Sequence, residues 1–231
     1  MDAALLEAIA SGDRKALSRA ITLVESGEEA GALGEPGRII GITGPPGVGK
    51  STLISALISL FRKAGETVAV LAVDPSSPIT GGAILGDRIR MQQHVDDDGV
   101  YIRSMAARGH LGGLAEAAAV AIRLMRHAGF DRLIVETVGV GQSEVEVMHI
   151  ADPVVLVVGP SWGDQIQADK AGIVEIADVF VVNKGDRPGV EDVRRALTEA
   201  ADARGAEILV TTATTGEGVD ELRLLVERFG S

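Results

Sequence analysis

Apolar residues recur along the chain in two rhythms. From residue 38 onward, short β-branched runs alternate with longer stretches whose apolar positions return every three or four residues. The runs Ile39–Thr43, Val68–Val73, Val100–Arg103, Leu133–Glu136, Val154–Val158, Val179–Val182 and Ile208–Thr211 read as strands. They are apolar at consecutive positions, as strands covered on both faces must be. The helical period occupies 50–64, 111–127, 164–177, 190–203 and 218–229. This alternation predicts an α/β fold built on a doubly wound, mostly parallel sheet. Ahead of it, Leu5, Leu6 and Ile9, then Leu17, Ala20, Ile21 and Val24, repeat at helical spacing over 2–26, with a break near Ser11-Gly12-Asp13. Residues 27–37, rich in Gly, Glu and Pro, read as a linker. The expected organisation is a short N-terminal helical segment with its linker over 1–37 and a single domain over 38–231.

Composition narrows the function classes. Apolar residues make up 46% of the chain, but aromatics only 3%, so Val, Ile, Leu and Ala must fill the core. The net charge of -11 argues against nucleic-acid and membrane-surface partners, which select basic patches. A small anionic ligand remains compatible where binding charge is local. With no cysteine, disulfides and thiolate metal sites are excluded, which fits a cytoplasmic location. Met1-Asp2-Ala3-Ala4 lacks the basic start of a signal peptide, and no apolar run nears the roughly 18 residues of a spanning helix. A soluble chain is expected.

The strongest chemical signal is Gly44-Pro-Pro-Gly47-Val-Gly49-Lys50-Ser51, which fits G-x-x-x-x-G-K-[ST] between a predicted strand and a predicted helix. Glycines let the backbone curl so that amides converge on phosphate oxygens, and the helix aims its positive end at the same point. Gly44, Gly47, Val48, Gly49, Lys50, Ser51 and Thr52 are the expected phosphate contacts. Lys50 would reach the β- and γ-phosphates, and Ser51 would ligate Mg²⁺.

A predicted strand runs directly into Asn183-Lys184-Gly185-Asp186, the N-K-x-D pattern of guanine-binding domains. A carboxylate at 186 can accept from both the ring N–H and the exocyclic amine of guanine; adenine offers no such pair and would leave the acid badly bonded. Asn183 would tie neighbouring loops together, and the Lys184 stem would cover the ring. Thr211-Thr212-Ala213, ending the next strand, lies where such domains place a loop whose amide meets the base oxygen.

Metal and switch chemistry falls on acids at strand ends. Glu136, in Glu136-Thr137-Val138-Gly139, can hold Mg²⁺ through water, and the Gly139 amide can face a γ-phosphate. Asp74 and Asp87 are two further candidate ligands, with turn-capping and helix-capping as their structural alternatives. No residue stands out as positioning the attacking water: Gln142, Arg108 and His110 are nearby but carry no specific signature. Slow hydrolysis that a partner accelerates is therefore expected.

The segments Gly44–Ser51, Val70–Ser77, Thr80-Gly-Gly82, Ile84-Leu-Gly-Asp87 and Glu136–Glu144 closely resemble the MeaB/MMAA GTPases, also known as ArgK-like. The likeness continues through Gly163-Asp164, Gln167, Lys170, Glu175–Asp178 and Asn183-Lys184, and covers most of 10–218. It implies a P-loop GTPase that assists an adenosylcobalamin-dependent acyl-CoA mutase, such as methylmalonyl-CoA mutase, in cofactor loading and protection. It also implies that Asp74 and Asp87 lie in switch I, that Glu136–Gly139 open switch II, and that about 159–170 form a third switch touching the mutase. Lys170 and Asp164 are the carried-over candidates there, so the implied catalytic set is Lys50, Glu136, Asp87 and Lys170. Familiar members pair through a long C-terminal helical arm, whereas this sequence ends at Ser231; a homodimer is one expected state. Trp162 is a candidate partner anchor, with local packing as the alternative. Other classes compatible with the motifs are a metal-delivery GTPase, a transport-linked ATPase or kinase of ArgK type, and an interaction module that barely hydrolyses. Scattered histidines and the absence of cysteine disfavour the first, and Asn183–Asp186 disfavours the second.

Overall fold

The computed structural model describes residues 1–74, 92–94, 96–106, 113–139, 141–162 and 172–229. Two helices open the chain, α1 (Ala3–Ala10) and α2 (Arg14–Glu25). Their separation has a local cause. Asp2 Oδ1 accepts from the Leu5 amide, and Asp13 Oδ1 accepts from the amides of Lys15 and Ala16, so each helix carries its own N-cap. Gly12 makes the turn between them at φ 88°.

The strands are β1 (Ile39–Thr43), β2 (Val68–Asp74), β3 (Val100–Ala106), β4 (Arg132–Thr137), β5 (Val154–Val158), β6 (Val179–Asn183) and β7 (Glu207–Thr211). Between and after them lie α3 (Lys50–Lys63), α4 (Gly113–His127), α5 (Gln142–Met148), α6 (Ile173–Ile176), α7 (Val190–Arg204) and α8 (Val219–Arg228). The strands form one seven-stranded sheet in the order β3-β2-β4-β1-β5-β6-β7. Every strand pair in it is parallel. The α/β fold expected from the apolar runs is the fold observed.

Burial explains why those runs are continuous. All of β1, β5 and β6 are buried, and each face of the sheet is covered. On one face, Leu53, Leu57 and Phe61 of α3 and Leu222 and Val226 of α8 pack on Ile42, Val70, Ile134 and Val155. On the other, Leu17 and Ile21 of α2, Ile122 and Met125 of α4 and Leu197 of α7 pack with Leu71, Val135, Leu156 and Phe180. The N-terminal helices thus share a core with the sheet. No helix among the described residues is long and apolar enough to cross a membrane.

Two differences from the sequence expectation stand out. Helix α5 follows β4 where no helix was expected; at seven residues it is too short to show a period. Of the helix expected over 164–177, the described part is Ile173–Ile176, with 163–171 outside the described residues.

Because all strands run the same way, their carboxyl ends share one edge. Strand order reverses at β1: the chain passes from β1 to β2 on one side, and from β4 to β5 on the other. Ligands of open α/β sheets sit at such a reversal.

A candidate nucleotide site at the strand reversal

The loop 44–49 leaves β1 at this edge and enters α3 at Lys50. Gly44 adopts φ 142°, and a Cβ there would overlap the carbonyl oxygen of Val157 on β5. Gly49 adopts φ 98°, and a Cβ would lie 2.5 Å from Asn183 Nδ2. Both positions combine a backbone shape that favours glycine with close approach of another element. Lys50 is buried, and its ammonium donates to the carbonyls of Gly44 at 2.7 Å and Pro45 at 3.0 Å. The cation is thus held at the mouth of the loop, facing its backbone. Around Gly47, where φ is 78°, nothing lies within 4 Å of a Cβ position, so the loop is open on that side.

The next residue of α3 points to β4. Ser51 Oγ donates to Glu136 Oε1 at 3.1 Å, and Glu136 is only 1% exposed. A carboxylate this buried is costly without bonding partners. Hydroxyl and carboxylate oxygens together form the kind of hard donor set that Mg²⁺ prefers, so the residues present fit that cation. Asp74 ends β2 beside β4, one residue beyond the Val73–Thr137 register pair. Gly139, on the same edge, donates its amide to the Gly44 carbonyl at 3.3 Å, while Thr43 Oγ1 donates to the Gly139 carbonyl. The amide expected to face a γ-phosphate is here engaged by the loop itself. Glu144, buried in the first turn of α5, lies 2.5 Å from where a Gly139 Cβ would sit.

On the other flank, Asn183 joins three strand ends. Its Nδ2 donates to the Val48 carbonyl at 2.9 Å, and its Oδ1 accepts from Thr211 Oγ1 at 3.0 Å and the Ala213 amide at 3.1 Å. All the bonds run to groups in the loop after β1 or at the end of β7, so one buried amide locks the relative positions of those segments. Lys184, at φ 65°, donates from Nζ to the Gly47 carbonyl at 2.6 Å. Gly185 donates its amide to Thr211, and a Cβ there would lie 2.9 Å from Val210 Cγ1. Asp186 is exposed at this turn, and Thr212 is buried beside Ala213.

The structure therefore gathers Gly44–Thr52, Asp74, Glu136, Gly139, Asn183, Lys184, Asp186, Thr212 and Ala213 on one edge of the sheet. Asp87, Arg108, His110, Asp164 and Lys170 lie outside the described residues. Trp162 is buried at 3% exposure, and its indole N–H has no hydrogen-bond partner among the described residues. Local packing is what it does here. Sequence reasoning missed the bond of Lys184 to Gly47 and the use of the Val48 carbonyl. Backbone carbonyls carry no residue signature, so neither could have been read from the motif.

Over residues 17–231 the chain matches the family described as Methylmalonyl Co-A mutase-associated GTPase MeaB. A Pyrococcus horikoshii protein is 50% identical over 94% of this chain and 74% of its own length. The GTPase ArgK of Escherichia coli is 38% identical, over 91% of this chain and 70% of its own. The crystal structure of LAO/AO transport system kinase is similar with a TM-score of 0.72 at 27% identity, covering 98% of this chain and 75% of that one.

Proposed function

We propose, from the premise that the chain belongs to the MeaB family of methylmalonyl-CoA mutase-associated GTPases, that this GTPase serves an adenosylcobalamin-dependent acyl-CoA mutase. Its role would be to couple GTP hydrolysis to loading and protection of the mutase cofactor. The partner reading rests on the family description. The site reading rests on one observation: Ser51 and the buried acid Glu136 meet at 3.1 Å, next in sequence to the buried Lys50.

Loop 44–52 would cradle the phosphates with its amides, and Lys50 would balance charge as the bond between the γ-phosphorus and the bridging oxygen breaks. Ser51, Glu136 and Asp74 would hold Mg²⁺, whose chemistry there is to neutralise β- and γ-phosphate oxygens. Asp87 joins them as a candidate ligand from the sequence, and Lys170 as a candidate for stimulated hydrolysis. Asp186 would select guanine, Lys184 would cover the ring, and the Thr212–Ala213 turn would approach the base oxygen. Water takes up the γ-phosphoryl group, GDP leaves, and phosphate is the second product.

Single-turnover hydrolysis tests this reading. Alone, the protein is expected to turn over below about 1 s⁻¹, under typical enzyme rates. A cobalamin-dependent acyl-CoA mutase is expected to raise that rate and to be retained differently in GDP and in a non-hydrolysable GTP analogue. If no such mutase binds in either state or changes the rate, the partner reading fails. If calorimetry finds no heat for GDP or GTP, the site reading fails as well.

A further inference from the structure

Helix α3 carries a polar stripe along one side. Ser51, Ser55 and Ser59 recur at four-residue steps, followed by Arg62 on the same side. The first bonds Glu136. Arg62 Nε donates to Asp97 Oδ2 at 2.9 Å, and Ser59 Oγ donates to the Ser55 carbonyl at 3.0 Å.

Between them sits a buried pair that the nucleotide reading does not use. His94 closes the short 3-10 turn Gln92–His94 and is 8% exposed; Ser55 is 3% exposed. His94 Nε2 lies 2.9 Å from Ser55 Oγ and 3.1 Å from the Ser55 carbonyl oxygen. The same ring nitrogen lies 3.2 Å from the Gln93 side-chain amide nitrogen, a donor, so Nε2 meets an acceptor and a donor at once. The Gln93 amide also reaches Ser55 Oγ. Serine in a helix interior is a weak helix former, and a buried polar pair costs desolvation that an apolar pair would avoid. What it provides is direction. An imidazole bonded to Ser55 ties this face of α3 to the 92–94 turn, a directional contact added to the helix's apolar packing.

We propose that His94 is a positioning residue for the nucleotide site. By holding Ser55, it sets the first turns of α3 so that Ser51, one turn or about 6 Å earlier, presents its hydroxyl correctly to the metal. This rests on the reading of Ser51 as a magnesium ligand. Misplacing a contact by about 1 Å can cost a hundredfold, so even a small slip of α3 should be measurable.

The test is GDP affinity by calorimetry across a magnesium titration, with thermal unfolding of each variant recorded alongside. His94→Leu and the milder Ser55→Ala are expected to raise the half-saturating magnesium concentration about tenfold or more. Their magnesium-free GDP affinity should fall by less than the magnesium midpoint rises, and His94→Gln, which keeps a side chain able to donate or accept, should recover most of the shift. A purely structural histidine would lower the unfolding temperature and leave the magnesium midpoint in place. Midpoints within about twofold of wild type in both His94→Leu and Ser55→Ala would overturn the proposal, as would failure of His94→Gln to improve on His94→Leu. Wild-type GDP affinity that ignores magnesium would overturn the metal reading of Ser51, and the proposal with it.

Discussion

Asp186 stands exposed at the turn after β6, while its neighbour Asn183 is buried and bonded at each end of its amide. The two residues have different work despite sharing one motif. Asn183 shapes the site, and on the proposed reading Asp186 offers an acceptor pair to the base. On the proposed reading, Asp186→Asn replaces one of those acceptors with a donor. GTP affinity should fall at least about thirtyfold, equivalent to about 2 kcal/mol, when measured by calorimetry. Xanthosine triphosphate, which carries an oxygen where guanine has its amine, should gain affinity in the same variant. Unchanged GTP affinity would remove Asp186 from base recognition.

At the scale of elements, the loop after β1 contains two glycines that are constrained in different ways. Gly44 is limited by φ 142° and by the β5 backbone, which cannot move without disturbing the centre of the sheet. Gly47 is limited by its φ of 78° alone. Gly44→Ala should therefore cost more than about 3 kcal/mol in urea unfolding, and Gly47→Ala only about 1–2 kcal/mol, the ordinary price of a left-handed residue. Equal losses would mean that the β5 contact is not limiting. These elements were unequally legible in the sequence. Strands β1, β5 and β6 were readable because a covered parallel strand must be apolar at every position. Gly44–Ser51 and Asn183–Asp186 stand out in the sequence because, on the proposed reading, phosphate and guanine chemistry demand particular residue types. Helix α5 was not, because seven residues show less than the window a period needs. Nor was the pairing of Ser55 with His94, since contacts 39 residues apart leave no local pattern, and each residue alone looks unremarkable.

At the scale of the whole molecule, two surface carboxylates contribute to the response to acid. The Arg62 guanidinium, then the Gly99 amide, hold the Asp97 carboxyl below its usual range. The amide and then the hydroxyl of Thr67 do the same for Asp131. Both groups are more acidic folded than unfolded. Their contribution to stability is therefore complete above the unfolded carboxylate value of about 3.9 and is lost as pH falls through the lower folded values. The urea midpoint should change little from these groups between about pH 6 and 5 and should drop below about pH 4. Asp131→Asn should be less stable at neutral pH and lose less on acidification. A variant that follows the wild-type curve in parallel would show that the Thr67 bonds do not shift the titration.

The position of β1 within the sheet separates two questions that a nucleotide switch must answer. Toward β6 and β7 lie Asn183, Asp186 and Ala213, cross-braced to the loop after β1. Toward β4 and β2 lie Glu136, Gly139 and Asp74. On the proposed reading, the first flank recognises which molecule has arrived, and the second registers whether it still carries its last phosphate. Identity is then judged by a fixed frame, and a signal to a partner can originate on the opposite side without loosening the grip on the base.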